Sequence, residues 1–121
     1  MTNLELKNMM VSYVLELVKR YGNDMCDTEA LFCIERKIIR KFGRGEIIVN
    51  IYESLNEELN TILTTINQNK EDIYIRINNE ENKIDMKTLA FIAIIFFDIT
   101  KYCKIAMGSN SLAMLKIIPL D

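Results

Sequence analysis

The chain has no histidine and no tryptophan, and only one proline and four glycines in 121 residues. Without histidine it lacks the commonest general base and the commonest metal ligand. Glycine is densest at Gly43-Arg44-Gly45, which has neither the further glycines nor the strand–helix context of a phosphate loop, so it reads as a helix break. Cysteine occurs three times, as Cys26, Cys33 and Cys103. The odd number, and the apolar settings of Cys33 and Cys103, predict reduced, mostly buried thiols in an intracellular protein. No Cys/His spacing suits zinc, and no cofactor is expected. Neither sign of charge dominates: 15 Lys and Arg stand against 17 Asp and Glu, a net charge of −2. No overall field therefore draws the chain to nucleic acid. The start of the chain has no basic region followed by an apolar stretch, so no secretory signal is read there. No stable membrane anchor is expected either.

What is present is one unusually apolar stretch. Leu89, Ala90, Phe91, Ile92, Ala93, Ile94, Ile95, Phe96 and Phe97 follow one another without a polar residue. The run is shorter than the roughly 20 residues of a membrane span. Asp98, Lys101 and Lys104 close it off. A helix with no polar face must be covered on all sides, so residues 1–121 are expected to form a single helical bundle wrapped around this segment.

The rest of the sequence supplies the wrapping. Thr2 and Glu5 form a capping box ahead of Leu6, Met10, Tyr13, Val14, Leu17 and Tyr21. These recur at helical spacing until Gly22. Asp27 or Thr28 caps a second helix, with Leu31, Ile34, Ile38 and Phe42 on one face. Arg36, Lys37, Arg40 and Lys41 lie on its other face. From Glu46 the apolar stripe resumes through Ile48, Ile51, Leu55, Leu59, Ile62 and Ile66, as one helix or two. Asp85 caps the central helix, which runs to about Ala106. Gly108 ends that helix, and a last short helix is built on Leu112, Leu115 and Ile118. Residues 71–84 fit two patterns. Ile73, Ile75 and Ile77 alternate as a strand would, with a turn at 78–82 and a return through Lys83-Ile84-Asp85. Ile66, Ile73, Tyr74 and Ile77 also fit a helical face, and an isolated hairpin is marginal. The helical reading is adopted, which makes the chain all-α.

Chemistry is sparse. Glu71-Asp72 and Glu80-Glu81 read as solvated loop charges. Cys103, between Lys101 and Lys104, reads as a thiol on the central helix rather than a nucleophile. The basic group Arg36, Lys37, Arg40, Lys41 and Arg44 reads as a solvated face. With no nucleophile–base pair, no enzyme is expected.

Two segments resemble the Bcl-2 family of apoptosis regulators. The stretch from Met9 to Gly22 is similar to the family's first helix, with Tyr13, Val14, Val18 and Gly22 at the motif's Tyr, Ile, Leu and Gly. The stretch from Ile84 to Ile92 resembles the start of the family's central helix. There Asp85, Met86, Lys87 and Thr88 stand in place of Asn, Trp, Gly and Arg. The resemblance implies a C-terminally truncated, anchorless bundle of the viral anti-apoptotic kind, acting in the host cytosol. It also implies a partner, the death-motif helix of a pro-apoptotic protein such as Bim, held in a hydrophobic groove. The groove would be built by Ile38, Phe42, Ile48, Tyr52, Leu55, Tyr74, Ile77 and Phe91, with Asp85, Lys87 and Thr88 at its edge. Truncation would leave the central helix under-covered and favour a homodimer through Leu112, Met114, Leu115 and Ile117. The rival expectation is a small dimeric helical or α+β adaptor without a ligand groove, which a true hairpin at residues 72–86 would favour.

Overall fold

The computed structural model of the chain describes residues 1–21, 28–65 and 72–107. Helix α1 spans Asn3–Tyr21. The backbone N–H of Glu5 donates to Thr2 Oγ1 at 3.1 Å, so Thr2 is the N-cap read from the sequence. The second helix, α2, spans Thr28–Phe42. It stops at Gly43, whose φ of 95° suits a residue without Cβ. The Gly43 N–H donates to the Ile39 carbonyl at 2.7 Å. Helix α3 is a single element, Glu46–Thr65, that starts from the Gly45 carbonyl. The central helix, α4, spans Met86–Met107. Asp85 caps it, accepting from the Thr88 N–H at 2.7 Å. The predicted cap at Asp27, the end of α1 at Gly22 and the last short helix lie outside the described residues.

The all-α expectation fails at residues 72–85. Strands β1 (Asp72–Ile77) and β2 (Glu80–Asp85) form an antiparallel hairpin in which Ile73 pairs with Ile84 and Ile77 with Glu80. The helical reading needed Tyr74 inside with Ile73 and Ile77. Tyr74 is instead 61% exposed, while Ile73, Ile77 and Ile84 are buried on one face. Alternation of β-branched residues therefore prevails over the weaker three-and-four spacing. The two loop residues, Asn78 and Asn79, have φ of 50° and 67°. Positive φ at both positions is the two-residue hairpin turn whose twist matches that of the strands. The hairpin is stable because it is not isolated: β1 packs on α1 and β2 on α4. The fold is α+β, and the Bcl-2-like helical bundle is not what the chain forms.

The core surrounds α4. Its Leu89, Ile92, Ile95, Phe96, Ile99 and Cys103 are fully buried, against Met10 and Val14 of α1, Ile34 and Ile38 of α2, and Val49 and Tyr52 of α3. Each such aliphatic side chain contributes about 1.5–3 kcal/mol on burial. The Tyr52 hydroxyl donates to the Gly43 carbonyl at 2.8 Å, tying α3 to the α2–α3 turn. Asn56 Nδ2 donates to the Ala93 carbonyl at 2.9 Å and ties α3 to α4, which pack most extensively on each other.

Candidate functional site

The run from Leu89 to Phe97 is not covered on all sides. Ile94 is 49% exposed and Phe97 is 54% exposed. Helical spacing explains the pattern. Lys87, Ile94 and Lys101 lie seven residues apart and form one outward stripe. Ala90, Phe97 and Lys104 lie beside it toward α3, where Lys104 forms an ion pair with Glu53. Asp98 and Tyr102 lie on the other side, toward Glu35 of α2. Between α3 and α4 runs a shallow furrow of about 260 Å³, lined by Asn56, Asn60, Leu63, Ala90, Ala93, Ile94 and Phe97. Of these residues only Ile94, Phe97, Ala90 and Ala93 belong to the apolar run. Nothing in a run without polar residues marks which two side chains stay outside. The usable signal is the pair of lysines that flank Ile94 at seven-residue spacing.

The residues read as a ligand groove do not share a surface. Ile38, Tyr52, Leu55 and Ile77 are core side chains; Phe42, Ile48 and Phe91 are partly buried against that core. Tyr74 projects from the hairpin, and Lys87 is exposed at the first turn of α4. The Asp85 carboxylate is committed to capping α4. Its hydrogen bonds from the Thr88 side chain and backbone hold its pKa below the ordinary value. Thr88 is thereby engaged in the same cap.

One buried group was not foreseen. Glu35 is 2% exposed and neither of its carboxyl oxygens has a hydrogen-bond partner. Burial pushes its pKa up to about 9, and the Asp98 carboxyl opposite adds to the effect. Two ionised carboxylates offer each other no donor, so protonation of Glu35 relieves the contact. Tyr102 is raised by burial and then by the same two acids. Cys103 is pushed up to about 11 by burial, so it is not a thiolate at neutral pH. Among the described residues no cluster of His, Cys, Asp or Glu is placed to hold a metal ion, and no helix is long and apolar enough to cross a membrane.

No known family model, curated protein or solved structure matches the chain. Together with the hairpin, which the all-helical Bcl-2 fold lacks, this overturns the Bcl-2 resemblance. The anti-apoptotic, viral and death-motif-binding functions that it implied fall with it.

Proposed function

We propose that the protein is a non-enzymatic α+β adaptor of the cytosol that works as a homodimer joined across α4. The observation that carries this reading is the half-exposed pair Ile94 and Phe97 on a helix whose other described aliphatic and aromatic side chains are buried or partly buried. Two large apolar side chains over a furrow form a patch that gains by exclusion of water. The exposed Lys87 and Lys101 stand seven residues before and after Ile94 on the same stripe of α4, and Asn56 and Asn60 line the furrow on α3. A two-fold axis through the patch sets Ile94 and Phe97 of one copy against the same patch of the other, as an isologous interface requires. The free thiols at Cys33 and Cys103 agree with a reducing compartment.

Sedimentation velocity on the full chain tests the reading. A dimer at micromolar concentration is expected, with Ile94→Asp and Phe97→Asp each giving a monomer of unchanged helical circular dichroism. A monomeric wild-type protein, or a dimer that survives both substitutions, sinks it.

A further inference from the structure

We infer that α2 carries a second docking surface, for an acidic polypeptide segment that bears an apolar side chain. It goes beyond self-association and uses none of the α4 patch. The surface is a concavity of about 340 Å³ lined by Glu29, Phe32, Cys33, Arg36, Lys37 and Arg40. Phe32 is 37% exposed there, an apolar floor among cations.

Charge supports an acidic occupant. Arg36, Lys37 and Arg40 bring three cations to this concavity of a chain whose net charge is −2. Lys41, farther along α2, is held over the Tyr13 ring at 4.8 Å, outside the concavity. Glu35, on the same helix, does not offset these cations. It is buried on the opposite face, and burial keeps it protonated at neutral pH. Among the described residues Glu29 is the one acid that lines the concavity.

Shape and chemistry choose among anionic partners. A concavity large enough for a leucine or phenylalanine side chain suits a peptide better than a flat lipid surface. The Arg36 and Arg40 guanidinium groups, four and eight residues after Phe32 on α2, match carboxylates in two-point contacts. A nucleic acid would meet one helix face and a single ring, on a chain whose overall charge opposes it. The surface thus fits a peptide with carboxylates beside one apolar anchor.

The test is fluorescence anisotropy of a labelled peptide of glutamates and aspartates around a central leucine. Arms with a glutamine-for-acid peptide, a single-stranded oligonucleotide and phosphatidylserine vesicles run in parallel. We expect saturable binding of the acidic peptide that weakens about tenfold between low and physiological salt. Arg36→Glu with Lys37→Glu should weaken it tenfold or more. Phe32→Ala should weaken it severalfold, and Lys19→Glu with Arg20→Glu should leave it within twofold. Absence of binding, equal binding by the Arg36/Lys37 variant, or tighter binding to oligonucleotide or vesicles overturns the inference. Repeating the titration on the Phe97→Asp protein separates the two proposals, since binding by α2 does not require the dimer.

Discussion

Buried Glu35 on α2 faces the half-buried Asp98 on α4, acid against acid, with Tyr102 beside them. Among the groups that act on Glu35, no cation appears. A buried acid without a donor destabilises the folded state whenever it is ionised. The direction follows from proton binding. Between the ordinary glutamate value and about 9, folded Glu35 holds a proton that the unfolded chain releases. Stability is therefore highest below the unfolded pKa and falls as pH rises through this window. Urea unfolding at pH 6 and pH 9.5 should show the loss in the wild type. Glu35→Gln should flatten the profile and be more stable at pH 9.5 by about 1–3 kcal/mol. A wild-type profile as flat as the variant's would mean that Glu35 is not buried unpaired.

The spacing of Glu35 was legible in the sequence, although its consequence was not. It falls four residues after Leu31 and three before Ile38, on the apolar face of α2. The cations next to it drew the reading toward a solvated helix. Helix caps were legible because single residues decide them: Thr2, Gly43 and Asp85 each act where their chemistry predicts. The hairpin was legible only as one of two patterns, since Ile73, Tyr74 and Ile77 satisfy both periods. What decided it was long-range packing of Ile73, Ile77 and Ile84 on α1 and α4, which no local pattern carries. The open side of α4 was hidden for the same reason. Nine apolar residues in a row do not say which neighbours are missing. The false family resemblance drew on local similarity in two helix segments, and the hairpin between them sets the topology.

The Asn78-Asn79 turn gives a sharper check on the hairpin. Both residues have positive φ, where asparagine is tolerated and glycine costs less. Asn79→Gly should stabilise by a few tenths to about 1 kcal/mol, and Asn79→Val should cost about 1–2 kcal/mol. Thermal melts of the two variants decide it. If Val is tolerated as well as Gly, the turn is not of this type.

Asp85 is both the last residue of β2 and the N-cap of α4. Asp85→Ala should cost about 1 kcal/mol, and Asp85→Ser or Asp85→Asn should restore most of it. The capping contribution of the carboxylate is lost as pH falls through its lowered pKa, so the gap between wild type and Asp85→Ala should narrow in acid. Denaturant unfolding at neutral and acidic pH measures both effects.

Ile94 and Ile95 are neighbours in sequence and opposites in the fold: Ile95 is fully buried, whereas Ile94 is 49% exposed. Truncating Ile95 leaves a cavity in the hydrophobic core, and Ile95→Ala should cost about 2–5 kcal/mol. Ile94→Ala removes side chain that is already half in water and should cost under about 1 kcal/mol to the monomer. The two substitutions part again in association. Ile94→Ala should weaken the dimer while scarcely changing the monomer's stability, and Ile95→Ala should do the reverse. Unfolding measured at two protein concentrations separates these effects, because only the associating protein gains stability with concentration. If Ile95→Ala proves mild and Ile94→Ala severe, α4 is rotated in its socket, and the patch assigned to association is core.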